Sequence, residues 1–477
     1  MYKLDKHYIG GRWVPAHGTD AHAMVNPSTE EVIGTVVLGD QQDVDTAVAA
    51  ARAAFPAWSE SPVADRIRLV EKIRDEYRRR LPEMGAAIST EMGAPIDMAI
   101  ERQAPAVANH ATNFLRVMET FSFSQPFAEH APNDRILLQP IGVVGMISPW
   151  NWPMSQVGLK VIPAILAGCT MVLKPSEYAA LSSNLLAEIF HDVGVPAGVF
   201  NLVHGDGPGA GARLSAHPDV AMMSFTGSTT AGRLVMKSAA DTFKRVALEL
   251  GGKGANLIFD DADADAVARG VRQCFSNSGQ SCNAPTRMLV QRSIYADAVE
   301  RAREQAEATA VGRSDAPGTH IGPVVSARQY ERVQALIESG IREGARLVAG
   351  GPGRPSGFNN GYFVQPTIFA DVTPQMTIAR EEIFGPVLSI IPFEDESHAL
   401  EIANDTPYGL TNYVQTADVE RRRRLASRLH AGMIEMNGQP RGAGAPFGGV
   451  GFSGGGREGG KWGLEEYLTV KSVSAWN

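Results

Sequence analysis

Between Ile141 and Phe225 short apolar segments alternate with stretches of helical length. Val143-Val144-Gly145-Met146-Ile147, Thr170-Met171-Val172-Leu173, Phe200-Asn201-Leu202-Val203 and Met222-Met223-Ser224-Phe225 read as strands. Helices are expected between them over Met154 to Ala167, Leu181 to Val193 and Gly209 to Ala216. Strands apolar on both faces and joined by helices imply a parallel sheet covered on both sides. After Glu249 a second series begins, with strands at Asn256 to Phe259 and Arg287 to Val290 and helices over Ala264 to Ser276 and Ala296 to Ala310. A further α/β segment runs to about His430. The expected fold class is therefore α/β, in two successive units.

The flanks are different. Tyr8 to Pro15 alternates around Gly10-Gly11 like a hairpin, and Asp40 opens a helix whose residues Val44, Ala47, Val48, Ala51 and Phe55 fall on one face. Two longer helical stretches follow, Val63 to Glu91 and about Ile96 to Thr120. Phe121 to Leu138 then reads as an extended arm, and the Gly- and Pro-rich stretch Gly350 to Gly361 as a surface loop. Tyr467 to Val473 is a terminal strand without a hairpin partner. An uncovered strand is an aggregation liability, so pairing with the arm or with another subunit is expected.

Composition narrows the function. The chain has 477 residues, 44% hydrophobic and 20% charged, with a formal charge of -8. A nucleic-acid polyanion requires a basic face, which this balance does not offer. The runs Arg78-Arg79-Arg80 and Arg421-Arg422-Arg423-Arg424 read as solvated helix faces. Three cysteines make no disulfide framework and no zinc spacing, so no metal is expected and a cytoplasmic setting is. The apolar run Val161 to Leu173 contains Pro163 and Gly168 and is shorter than the ~20 residues that span a bilayer. Neither export nor a membrane partner is expected.

Two motifs carry chemistry. Ser278-Gly279-Gln280-Ser281-Cys282 places a thiol on a glycine-flanked turn, and Glu249-Leu250-Gly251-Gly252-Lys253 places a carboxylate ahead of a glycine pair. Together they supply a nucleophile for a carbonyl and a base for water. Gly205-Asp206-Gly207-Pro208-Gly209-Ala210 formally satisfies a loose dinucleotide fingerprint but reads better as a turn feeding a helix. Ser224-Phe225-Thr226-Gly227-Ser228-Thr229-Thr230 is stronger, because hydroxyls and free N–H groups gather at a helix N-terminus, where a pyrophosphate is stabilised. Lys174-Pro175-Ser176-Glu177 ends a buried strand at the edge where open α/β sheets bind ligands. Lys174 and Glu177 there would hold both hydroxyls of an adenosine ribose, and Glu177 would repel a 2'-phosphate, which favours NAD over NADP.

These motifs, with Pro149-Trp150-Asn151-Trp152-Pro153, Glu381-Glu382-Ile383-Phe384-Gly385-Pro386-Val387 and Pro446-Phe447-Gly448-Gly449, occur in one order along the chain. In this the sequence resembles the NAD(P)-dependent aldehyde dehydrogenase superfamily over nearly its whole length. The resemblance implies a Rossmann-type NAD-binding domain at 1–121 and 139–250, an α/β catalytic domain at 251–445, and a β oligomerisation arm of 122–138 with the tail 446–477. It implies a homodimer or homotetramer. Cys282 matches the family nucleophile, Glu249 the general base, Asn151 the oxyanion ligand, and Lys160 a further position near the site. Lys174, Glu177, Gly227, Ser228, Trp150, Glu382 and Phe384 match cofactor positions. Trp152, Gln156, Leu159, Ser281, Asn283 and Phe447 would line the aldehyde tunnel. Glu458 matches a glutamate that relays protons in some members. Arg441 would bind a carboxylate if the substrate is a semialdehyde, and is otherwise a solvent-facing loop arginine.

The pattern departs from the family at Gly451-Phe452-Ser453-Gly454, where Lys-x-Ser-Gly is common. The implied reaction is oxidation of an aldehyde to the acid through a thiohemiacetal and a thioester on Cys282. Rival readings are a CoA-acylating dehydrogenase, a cysteine hydrolase, and a structural homologue without catalysis. Glu249 argues for water as the acyl acceptor.

Overall fold

The computed structural model describes residues 1–476. One seven-stranded sheet runs in the order Arg245–Glu249, Met222–Thr226, Val143–Ser148, Thr170–Pro175, Phe200–Leu202, Lys6–Ile9, Arg12–Pro15. The first five are parallel, and the N-terminal hairpin closes one edge antiparallel, with Tyr8 opposite Leu202. Ile147 lies opposite both Phe225 and Lys174, and Thr226 opposite Glu249, so the strands end level. The chain segments leaving this edge begin at Ser148, Pro175, Thr226 and Glu249, which sets the motifs side by side.

Every residue of Val143–Ser148, Thr170–Pro175 and Met222–Thr226 is buried, which is why these strands are apolar without alternation. Helix Pro153–Ala167 packs beneath them with all residues buried except Ser155. It ends at Gly168, whose φ of +90° suits glycine. Val161, Ile162, Ile165 and Leu166 are at most 1% exposed, and each side chain so buried stabilises by about 1.5–3 kcal/mol. The helix that carries Lys160 is thus fixed by its own core face.

A second seven-stranded sheet runs Arg346–Ala349, Thr367–Ala370, Val387–Phe393, Arg287–Gln291, Ala255–Ile258, Thr411–Gln415, Met433–Met436, parallel except for its first strand. Helix Ala266–Phe275 covers it and leads into the turn before Cys282. A small sheet joins Leu468–Val473 to Ala131–Pro140 and that strand to Ser124–Ala128. The terminal strand therefore pairs with the arm of its own chain.

Some elements differ from expectation. Val63 to Glu91 is two helices, Val63–Arg79 and Leu81–Met92, because Pro82 has no N–H to continue the first. Ile96 to Thr120 breaks into Ile96–Met98, a π-helical turn Ala99–Gln103, and Ala106–Met118, with Pro105 at the start of the last. The segment expected as helix from Gly209 starts as a π turn, Gly207–Gly211, with Asp206 accepting from Gly209 N. Strands Tyr2–Leu4, Ala21–Val25 and Val32–Val37 form a further sheet that was not anticipated. Of the arginine run, Arg423 and Arg424 are exposed, but Arg421 stacks 4.3 Å above the Phe259 ring and bonds Asp261. Among the described residues no helix is long and apolar enough to cross a membrane.

Candidate active site

Cys282 follows a turn in which Asn277, Ser278 and Gly279 all have left-handed backbones, with φ of 53°, 57° and 73°. For the two non-glycine residues this costs on the order of 1–3 kcal/mol each and persists only where neighbours enforce it. Asn277 Nδ2 donates to Asn151 O at 2.9 Å, Ser278 Oγ to Gly322 O at 2.8 Å, and Val325 N to Gln280 Oε1 at 2.9 Å. Asn151 Nδ2 donates to Gln280 O at 3.0 Å, and Trp152 Nε1 to Ser281 Oγ at 2.8 Å. The loop after Ser148 is thereby stitched to the cysteine turn. A Cβ on Gly252 would run into the Cys282 carbonyl, so the glycine pair is what lets the Glu249 segment pass beneath the cysteine.

Glu249 is 4% exposed, and neither carboxylate oxygen has a protein partner. A Cβ on Gly448 would lie 2.6 Å from its Oε1, so Gly448 makes room for the carboxylate. Burial pushes the Glu249 carboxyl well above the usual range, and the nearby Glu458 carboxylate pushes it further. The Cys282 thiol is also pushed up, first by burial and then by Glu382, Glu249 and Glu458. The resting thiol is therefore protonated, and attack on a carbonyl requires its proton to leave. Lys160 Nζ bonds Glu458 Oε1 at 2.5 Å and Ser224 Oγ at 3.2 Å, and Tyr467 OH reaches the same Ser224 oxygen at 3.4 Å. This places Lys160 and Glu458 in one buried pair.

On the sheet edge, Lys174 Nζ donates to Pro175 O at 2.8 Å and Gly205 O at 2.7 Å. The ammonium keeps a third donor free of these two. Glu177 opens the short turn Glu177–Ala179, capped by Ser176 Oγ. Ser228 Oγ accepts from Ala231 N at 3.2 Å and caps helix Thr229–Ala240, while Gly227 N donates to Glu249 O at 3.0 Å. Gly252 N donates to Glu382 Oε1 at 3.0 Å, and burial pushes Glu382 up to about 7. Trp150 meets the Phe384 ring edge-on, centroids 5.5 Å apart, and Phe384 has a φ of 59°. The residues expected to hold a dinucleotide thus lie along the edge of the first sheet and across from it on the second. A pinned lysine followed by a carboxylate and a capped helix N-terminus fits a ribose and a pyrophosphate.

The six expected tunnel residues divide between two cavities. Gln156, Leu159 and Phe447 line one of about 650 Å³, and Trp152, Ser281 and Asn283 line another of about 360 Å³. Glu435 lines both. Phe447 and Glu458 exchange backbone bonds at 2.7 and 2.8 Å, which ties the larger cavity to the Lys160–Glu458 pair. Arg441 is a half-buried arginine on the cavity lining, with two of its three guanidinium nitrogens engaged. It bonds Glu435 at 3.0 Å and Pro446 O at 3.2 Å and stacks 5.0 Å above the Phe447 ring.

Sequence reasoning missed Glu435, Tyr413 and Asn277, and named Gly448 only as part of a motif. Tyr413 OH donates to Asn283 O at 2.7 Å and so braces the residue after the cysteine. Only Gly448, inside a recognised motif, carried a signal. The others take their roles from contacts more than a hundred residues away, or, for Glu435, from facing a cavity.

A thiol and a buried carboxylate meeting beside the edge of a nucleotide-type sheet are the arrangement of a thiol-dependent oxidoreductase. The model described as the aldehyde dehydrogenase family matches residues 13–473, and the chain belongs to that family. It is 50% identical over 471 residues to 3-succinoylsemialdehyde-pyridine dehydrogenase of a Pseudomonas species, covering 98% of each chain. Among solved structures, aldehyde dehydrogenase from Bartonella henselae superposes with a TM-score of 0.99 at 53% identity, covering 100% of both chains. A variant of aldehyde dehydrogenase C from Pseudomonas syringae, in complex with NAD+ and octanal, superposes with a TM-score of 0.97 at 46% identity, covering 99% of this chain and 97% of that one.

Proposed function

We propose that the protein oxidises an aldehyde to its carboxylic acid with NAD, and that Cys282 and Glu249 carry the two halves of the reaction. The observation that carries this reading is the approach of the Glu249 segment beneath the Cys282 carbonyl, with the Glu249 carboxylate left free of protein partners. The Cys282 sulfur attacks the aldehyde carbon as the thiol proton passes to solvent water, and a thiohemiacetal forms. Asn151 is tied to the cysteine turn, and its side-chain amide with the Cys282 backbone N–H would receive the oxyanion. NAD, when bound, would supply the acceptor for the hydride, the aldehyde hydrogen with its electron pair, and the acyl group remains as a thioester on Cys282. Glu249 removes a proton from water, the water oxygen adds to the thioester carbon, and the thiol leaves with the acid as product.

Lys174 and Glu177 would hold the adenosine ribose, Ser228 and the Gly227 turn the pyrophosphate, and Glu382 with Phe384 and Trp150 the nicotinamide end. Glu177 disfavours a 2'-phosphate and so favours NAD over NADP. In this reading residues 1–121 and 139–250 bind the cofactor, 251–445 supply the thiol, and 122–138 with 446–477 form the arm of a homo-oligomer. The Pseudomonas species relative is named for a semialdehyde bearing a pyridine, which supports a substrate larger than a simple alkanal.

The test is NADH formation from a panel of aldehydes by the wild type, Cys282→Ala and Glu249→Ala. Turnover with NAD that is lost in Cys282→Ala supports the reading. Turnover that appears only on adding CoA overturns the hydrolytic half in favour of acyl transfer.

A further inference from the structure

The larger cavity has a chemistry of its own. Gln156 is 6% exposed, its Oε1 has no protein partner, and it lines this cavity beside Leu159 and Phe447. A buried amide oxygen left unpaired carries a desolvation cost that a ligand donor can recover. The carboxamide offers both a donor and an acceptor, since its two ends exchange by rotation about one bond. The lining holds three arginines and one carboxylate, Glu435, and that carboxylate is paired with Arg441. The Arg441 guanidinium is committed to Glu435 and to the Phe447 face, and His110, which lines the same cavity and bonds Ser155 Oγ at 3.0 Å, is held neutral by burial. The remaining cations on the lining, Arg78 and Arg116, sit at its exposed rim, bonded to Thr112 and Asn113.

We propose that Gln156 selects aldehydes carrying a neutral oxygen function, a ketone or hydroxyl, on the carbon chain, in preference to plain alkyl or anionic aldehydes. The inference rests on the reading of the site as a thiol-dependent aldehyde dehydrogenase and goes beyond it by naming the group recognised. Leu159 and Phe447 would cover the methylenes, and Gln156 would meet the oxygen between them. A polar cavity wall of this kind rejects an analogue that lacks the matching group, because its own amide is then left unpaired.

The experiment compares kcat/KM for matched substrates within each protein: pentanal, 4-oxopentanal, and the anionic 4-oxobutanoate. The wild type should prefer 4-oxopentanal to pentanal by about tenfold, carried mainly in KM, and should not favour 4-oxobutanoate over 4-oxopentanal. In Gln156→Met, close to glutamine in volume, the ratio of 4-oxopentanal to pentanal should fall to near one. Equal wild-type values for the first two, or a ratio unchanged in Gln156→Met, overturn the inference while leaving aldehyde oxidation standing. A preference for 4-oxobutanoate returns Arg441 to the role of carboxylate ligand and also overturns it. The wild-type ratios decide the matter even if the variant does not fold. Silence with every aldehyde, by contrast, removes the underlying reading and this inference with it.

Discussion

Lys160 Nζ stands 2.5 Å from Glu458 Oε1, with the two residues 1% and 6% exposed. A buried pair of this kind returns its desolvation cost only while both partners remain. Lys160→Met strands the Glu458 carboxylate and should lower unfolding free energy by about 3–5 kcal/mol in urea titrations. Lys160→Met with Glu458→Leu should recover most of the loss. A single variant that loses less than about 1 kcal/mol would mean that the pair behaves like an exposed one.

Asn151 is held against the cysteine turn by its bond to Gln280 O. Asn151→Ala should lower kcat by about 10²–10³, the cost of one oxyanion donor, with a smaller change in KM. Steady-state rates at saturating aldehyde check this. A change confined to KM would assign Asn151 to substrate binding alone.

Under the proposed function, cofactor choice rests on Glu177. In Glu177→Gln the ratio of NAD to NADP efficiency should narrow by at least about 1 kcal/mol, roughly fivefold, as repulsion of the 2'-phosphate is relieved. Initial rates with each cofactor measure it. An unchanged ratio would place the discrimination elsewhere.

His204 precedes Gly205, whose carbonyl accepts from Lys174. It is 2% exposed, and burial, then His7 and Lys174, lower it from 6.5 to about 3. Between those values the unfolded chain binds a proton there that the folded chain does not. Its share of stability is complete above pH 6.5 and is lost as pH falls toward 3, by at most about 1.4 kcal/mol per unit. His204→Asn should flatten the fall in urea midpoint between neutral and mildly acidic pH. An equally steep fall in the variant would show that other groups carry the acid sensitivity.

Much of this architecture is legible in the sequence. The strands from Val143 to Thr226 announce themselves because both faces are buried and the runs are continuously apolar. Cys282, Glu249 and Asn151 sit in short motifs, and the level strand ends explain why motifs distant in sequence meet. What local pattern does not carry is side-chain pairing across the fold. Arg441 is a loop arginine in sequence, and only the folded chain shows Glu435 and Phe447 holding it. The division of tunnel residues between two cavities likewise depends on where Trp152 turns, and its indole is committed to Ser281. The helix breaks near Pro82 and Pro105 follow from the missing proline N–H, which the periodic apolar residues around them mask in the sequence.

The most direct test of the account is the fate of the acyl group in Glu249→Gln. Mixed with NAD and a reactive aldehyde, this variant should release a burst approaching one NADH per site, and intact-protein mass followed by peptide mapping should find the acyl group on Cys282. Later turnover should fall by about 10²–10⁴. Undiminished turnover without a trapped acyl group would contradict the assignment of Glu249 as the base, and an acyl group on any residue other than Cys282 would contradict the nucleophile.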